Sequence, residues 1–301
     1  MFEFRQLRQF VVLAEELNFG RAAIRLHMSQ PPLSVAMRNL EEQLGAVLFD
    51  RSRHHVRLTP AGQVFHKDAQ RLLQQAQAAG ERARRAAQGL EGSLRLSFVP
   101  SAALDVLPAI FKRFQHDYPT VQLRLTAETT ARQLEDLRKG EVELALVVGP
   151  VYESRGLVLV DLQAQKFVIA VPRSHPLAAQ RSVKIEALAA ESFISFPAAE
   201  GAGFVAALLG ACQSAGFLPK VVQEAAQMQS ILTLVAGGLG IALVPAAMRV
   251  LAMADVAFLE IAGARPPPTY RLVFAHASGN DNPVVQSFLG VARKAVEGAG
   301  R

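Results

Sequence analysis

Four side chains on one short stretch, Gln30, Ser34, Val35 and Arg38, have the types and spacing to read the edge of a base pair. A glutamine amide pairs with adenine, a serine hydroxyl reaches a base or a phosphate, and a valine presses on a thymine methyl. An arginine takes a guanine or a phosphate. They lie in SQPPLSVAMRNLEEQLG, residues 29–45, where Leu33, Met37, Leu40 and Leu44 repeat at intervals of 4, 3 and 4. That is the buried stripe of a helix, and it leaves the reading residues on the other side. Ser29 is placed to cap this helix. Pro31 and Pro32 fall in its first turn, where their missing N–H groups have no intrahelical partner to lose. The stiff start fixes the end of a helix that enters the major groove in a helix-turn-helix. An ordinary surface helix of a three-helix bundle has the same local pattern.

The elements that must position this helix surround it. Leu7, Phe10, Val11 and Ala14 predict a first helix, broken at Asn18 and Gly20. Ala22, Ala23 and Leu26 give a short second helix, with Met28 and Ser29 as the turn. LFDRSRHHVRLTPAG, residues 48–62, then reads as strand, tight turn and strand, with Arg51, Arg53 and Arg57 around the turn. A basic hairpin after a recognition helix is a wing that tracks the backbone or the minor groove. His54 and His55 are metal ligands by type, but no cysteine and no third ligand stands at metal-site spacing. No metal or cofactor is expected.

Thr59 then caps a helix that Pro60 opens and that runs to about residue 89. Phe65, Ala69, Leu72, Ala76, Ala79, Ala83, Ala86 and Leu90 step alternately by 4 and 3. This heptad seam predicts a coiled-coil partner. Packing on the chain's own body is the alternative. An arm of about 45 Å at helical rise, with Arg82, Arg84 and Arg85 opposite the seam, favours a homodimer. A two-fold pair would present two heads to paired half-sites.

The chain has 301 residues, more than one core usually serves. Residues 1–89 hold 13 Lys/Arg against 8 Asp/Glu, and residues 90–301 hold 19 against 18. The excess on the head suits a polyanionic partner, and equally a solvated surface. One cysteine, Cys212, fits a reducing compartment, and MFEFRQLRQF has no long apolar stretch, so a cytoplasmic protein is expected. ILTLVAGGLGIALVPAAM, residues 231–248, is long enough for a membrane span. Gly237, Gly238, Gly240 and Pro245 punctuate it, and helix, glycine turn, buried strand and second turn explain it better.

The joint pattern RAAIRLHMSQPPLS, LEEQLG, LFDR and LTPAG resembles the winged helix-turn-helix of LysR-type transcriptional regulators. The likeness covers the head, the long helix and, more loosely, the rest of the chain. It implies that Gln30, Pro31, Ser34 and Arg53 touch DNA. With the residue reading, the candidate DNA-binding set is Ser29, Gln30, Pro31, Ser34, Val35, Arg38, Arg51 and Arg53. Many members of that family carry arginine where this chain has Val35, which shifts affinity toward Arg38 or the wing.

From Gly92 onward strands alternate with helices: SLRLSFV, VQLRLTAE, VELALVVG, KFVIAVP, FISFP and GIALVP are apolar strands. The helices are LDVLPAIFKRFQHDY, ARQLEDLRKG, FVAALLGACQSAG and QSILTLVAGG. This is an α/β body with crossover connections. Chain crossings near 160–166 and 264–271 split it into two subdomains with a cleft. The expected division is a head over 1–59, a linker and dimerisation helix over 60–89, and a body over 90–301. Lobe I takes about 90–162 and 268–301, and lobe II about 163–267. The resemblance implies a two-lobed, periplasmic-binding-protein-like body with a small effector between the lobes. Ligands of open α/β sheets sit beyond strand carboxyl ends, near helix N-termini. Ser101, Thr129, Thr130, Phe196, Phe204 and Met228 hold such places. Each hydroxyl taken alone is better explained as a plain N-cap, so their convergence on one cleft is what would mark a site, and no Arg or Lys cluster marks these strand ends. SQPPLS with EELNFGRAA resembles regulators of aromatic-compound catabolism, which implies an aromatic acid or a ring-cleavage product.

No GxSxG, HExxH, P-loop or post-strand GxGxxG stands in the chain, so no enzyme is expected. A solute-binding transport protein would share the body and lack the head. The reading is a transcriptional regulator that binds double-stranded DNA with dyad-symmetric half-sites. The resemblance further implies a tetramer, with RNA polymerase as a further partner.

Overall fold

The computed structural model describes residues 2–51, 55–264 and 266–299; Arg53 and His54 lie outside them. The chain divides into two compact units, Met1–Arg85 and Ala86–Arg301.

In the first unit, α1 (Phe4–Glu16) ends where Leu17 takes a left-handed conformation. Asn18 and Gly20, expected to break it, do other work. Asn18 caps α2 (Phe19–Arg25), its side-chain oxygen accepting from the Arg21 N–H at 3.0 Å, and Gly20 lies inside α2. After a turn comes α3 (Gln30–Leu44), closed by left-handed Gly45. The wing pairs β1 (Phe49–Arg51) with β2 (Val56–Leu58), antiparallel, Phe49 opposite Leu58. Leu7, Phe10, Leu13, Leu33, Met37, Leu40, Leu48 and Phe49 fill one core, so the expected faces of α1 and α3 point inward.

The long helix α4 spans Pro60–Ala87. The Thr59 hydroxyl accepts from the Gly62 N–H at 2.9 Å and donates to the Val47 carbonyl at 2.7 Å, joining cap to wing. Phe65 and Ala69 of the heptad belong to the head core. Leu72 is 39% exposed, and Ala76, Ala79, Ala83 and Ala86 are exposed in the single chain. Among the described residues, the neighbouring turns of α4's own backbone aside, nothing lies within 4 Å of the place a Cβ would take at Gly80. Gly80→Ala is therefore expected to stabilise α4 by about 1 kcal/mol, read as a raised helix melting temperature. A lowered one would place Gly80 against a partner helix.

The second unit adds β3 (Gly92–Phe98), α5 (Val106–Asp117), β4 (Val121–Ala127), α6 (Thr130–Lys139), β5 (Leu144–Gly149) and β6 (Leu157–Pro172). There follow β7 (Ser182–Lys184), β8 (Ser192–Ser195), α7 (Ala198–Ser214), β9 (Lys220–Glu224) and α8 (Met228–Ala236). The chain closes with β10 (Ala242–Pro245), β11 (Val256–Ala262), β12 (Thr269–Ala277) and α9 (Pro283–Ala299). One sheet runs β4-β3-β5-β12-β6-β11-β7 with β10 also on β6, and β8 pairs β9 separately. β3 lies parallel to β4 and β5, while β12 is antiparallel to β5 and β6.

β6 explains the two lobes. Its residues 157–166 pair with β12, and residues 167–172 pair with β10 and β11. One strand thus belongs to both lobes, and the chain returns between β11 and β12. The sequence reading contained only the second half of β6. The apolar stretch at 231–248 becomes the end of α8, a glycine turn, β10 and a short 3-10 turn. No helix among the described residues is long and apolar enough to cross a membrane.

Candidate DNA interface and effector cavity

On α3, Gln30, Pro31 and Arg38 are exposed, Val35 is 55% exposed and Ser34 is half-buried, opposite the buried stripe. Ser29 occupies the N-cap position as expected, but its side chain makes no capping bond. The reason is in the sequence. A cap hydroxyl accepts from the second or third helical N–H, and those positions are Pro31 and Pro32. The two prolines leave the exposed Ser29 hydroxyl available to another partner.

Arg51 is held within the fold. Its guanidinium donates to Glu41 Oε2 at 2.6 Å and lies 5.4 Å from the centre of the Phe19 ring. Glu41 Oε1 also accepts from the Leu48 and Phe49 N–H groups at 2.9 and 3.1 Å. Arg51 therefore fastens the base of the wing to α3, a role its cluster with Arg53 and Arg57 did not suggest. Arg57 stands exposed on β2 opposite Asp50. Val35→Arg would add a cation to the reading face. The expected result is tighter binding at low salt, with the salt dependence of log K steeper by about 0.9. An unchanged slope would place residue 35 away from phosphate.

In the second unit, Ser101, Thr129, Thr130, Phe196, Phe204 and Met228 all line one cavity of about 330 Å³. Val99, Leu104, Val148, Met248 and Leu251 add apolar wall, and Gln227 and Gln229 add amides. The size and the apolar lining with few polar groups suit a small ligand. Thr129 caps α6, accepting from the Arg132 N–H at 3.4 Å, and donates to Glu200 Oε2 at 2.7 Å. Thr130 is buried and accepts from the Val148 N–H at 3.2 Å. Ser101 is buried, and its hydroxyl acts on the Tyr270 phenol. Burial, then the Asp105 carboxylate, push that phenol's pKa up, while the Ser101 hydroxyl acts the other way. Tyr270 packs with Phe167 and Phe204 at ring separations of 5.2 and 5.4 Å, and Phe196 lies 6.1 Å from Phe204. Phe167 and Tyr270 stand where β6 and β12 pass between the lobes, and they back the cavity wall through Phe204 without lining it themselves.

α7 is shaped to this wall. Gly201 interrupts it, and a Cβ there would meet the Phe196 ring at 2.8 Å. A Cβ at Gly203 would lie 2.6 Å from the Val148 carbonyl oxygen and 2.8 Å from that of Pro150. Sequence reading missed Glu200 and Tyr270. Glu200 stands in the first turn of the helix after FISFP, a place where it reads as a charge complementing the helix dipole. Tyr270 sat in a stretch read as rigid linker. Among the described residues no group of three or more His, Cys, Asp or Glu is arranged to hold a metal.

A winged helix-turn-helix in one unit and a two-lobed α/β cavity in the other define a DNA-binding protein that senses a small molecule. A family model for the bacterial regulatory helix-turn-helix protein, lysR family, matches residues 4–63, and one for the LysR substrate binding domain matches residues 87–297. The chain is 33% identical over 290 residues to the HTH-type transcriptional regulator AlsR of Bacillus subtilis, covering 96% of this chain and 95% of that one. It is 34% identical over 293 residues to the HTH-type transcriptional regulator TfdS of Cupriavidus pinatubonensis, covering 97% and 98%. Full-length CbnR complexed with its target DNA superposes with a TM-score of 0.83 at 30% identity, covering 98% of this chain and 100% of that one. The chain belongs to the LysR family of transcriptional regulators: it binds DNA through its head and a small-molecule effector through its C-terminal domain.

Proposed function

We propose that the cavity lined by Ser101, Thr129, Thr130, Phe196, Phe204 and Met228 is the effector site, and that its ligand is an aromatic acid or a ring-cleavage product. The observation that carries this is convergence: residues from Ser101 to Met228, far apart in the chain, line a single cavity. The DNA-binding set is Ser29, Gln30, Pro31, Ser34, Val35, Arg38 and Arg53, with Arg51 acting from the wing's base. The working division is a head over 1–59, a linker helix over 60–89 and a two-lobed body over 90–301. The alanine seam of α4 pairs two heads on dyad-symmetric half-sites, and the dimers assemble into a tetramer. The protein works in the cytoplasm and catalyses no reaction.

The mechanism is a population shift. Effector in the cavity changes how the lobes close across β6 and β12, and with it the spacing of heads on DNA, bending and polymerase access. This requires different effector affinities in the two assemblies. Footprinting of the full chain on its selected DNA site, with and without an acid that raises its melting temperature, tests it. A changed footprint length is expected; a saturating ligand that alters neither footprint nor bend contradicts it.

A further inference from the structure

The donors and acceptors around the cavity are not interchangeable. The Thr129 hydroxyl has one hydrogen, and it goes to Glu200 Oε2 at 2.7 Å. One of its lone pairs takes the Arg132 N–H at 3.4 Å, so toward the cavity Thr129 offers only its other lone pair, backed by the Glu200 carboxylate behind the wall. Thr130 is the reverse: its oxygen accepts from the Val148 N–H at 3.2 Å, which leaves its own hydrogen free to donate. The Met228 and Gln229 N–H groups open α8, where no intrahelical acceptor exists for them. Both residues line the cavity, and among the described residues no Arg, Lys or His does.

We infer that the cavity takes a planar mono-acid carrying a hydroxyl or amino donor, and that Glu200 is the residue that rejects diacids. The inference rests on the cavity being the effector site. Phe196, Phe204, Met248 and Leu251 provide the apolar faces for a ring. One carboxylate of the ligand finds donors at Thr130 and the start of α8. A donor at its other end meets the Thr129 oxygen and the Glu200 charge behind it. A second carboxylate there would stand beside Glu200 in a site without a cation, leaving two like charges uncompensated.

Isothermal titration of the full-length protein with 4-hydroxybenzoate, benzoate and terephthalate at neutral pH tests this. Wild type is expected to bind 4-hydroxybenzoate at least about tenfold more tightly than terephthalate. Glu200→Gln should close most of that gap by gaining affinity for terephthalate, and Glu200→Asp, which keeps the charge, should preserve the discrimination. If the acids bind but Glu200→Gln leaves their ranking unchanged, the role of Glu200 is wrong while the cavity reading stands. If wild type prefers terephthalate, the ligand class is wrong. If none of the acids binds any of the three proteins, the assignment of the cavity to aromatic acids fails, and this inference with it.

Discussion

Glu41→Ala is expected to destabilise the head by about 3 kcal/mol, because two part-buried N–H groups lose their acceptor at roughly 1 kcal/mol or more each. The remainder comes from Arg51, whose ion pair with Glu41 is partly exposed and counts for less than a buried one. The carboxylate ties α3 to the Leu48 and Phe49 amides and to Arg51 together. Losing it frees the wing from the recognition helix, so DNA affinity falls although Glu41 faces no base. Glu41→Gln separates the parts. Its amide oxygen still accepts from the backbone, while its NH2 stands where the oxygen accepting from Arg51 was, so the ion pair and that hydrogen bond are lost and about 1 kcal/mol should go. Thermal unfolding of the two variants, with anisotropy of labelled DNA, checks both. A loss for Glu41→Ala within about 0.5 kcal/mol would show the wing held by its apolar contacts instead.

Gly203→Ala should be the more damaging change in the body. The added Cβ would stand 2.6–2.8 Å from backbone atoms of Val148, Gly149 and Pro150, which cannot swing aside as a side chain would. α7 must back away, at about 3 kcal/mol by the usual cost of overpacking. It carries Gly201 and Phe204 of the cavity wall with it, so ligand affinity should fall as well. Gly210 lies on the same helix with open space around it. Gly210→Ala should instead stabilise by up to about 1 kcal/mol and leave ligand binding alone. The matched pair, compared by melting and by calorimetry, separates close packing of α7 from its helix propensity. Equal melting temperatures for the two variants would mean that α7 does not press on the end of β5.

Much of this architecture is legible in the residues. The α3 stripe, the Thr59 cap and the glycine-broken run before Pro245 follow from periodicity and turn chemistry, which are local. Six residues of the cavity wall were legible for the same reason: Ser101, Thr129, Thr130, Phe196 and Met228 follow a strand or start a helix, and Phe204 lies on the helix after FISFP. What stayed hidden depends on pairing across the chain. The first half of β6 alternates weakly, and it becomes a strand because β12 lies against it. β9 is exposed along its whole length and is ordered by β8, not by burial of its own. Arg51 reads as part of a basic wing because its basic neighbours are near in sequence, and its partner Glu41 was not legible because it lies on the preceding helix. Ser29 is the opposite case. The absence of its capping bond is a consequence of two prolines that stand next to it in plain view.

Selection of binding sites from a random duplex pool, with wild type and Gln30→Ala side by side, tests most directly whether the exposed face of α3 is what reads DNA. The account predicts an interrupted dyad for the wild type and, for the variant, loss of preference at one symmetric pair of positions with the dyad otherwise kept. The same motif recovered at every position from both proteins would contradict it, and would move sequence reading away from Gln30, Ser34, Val35 and Arg38.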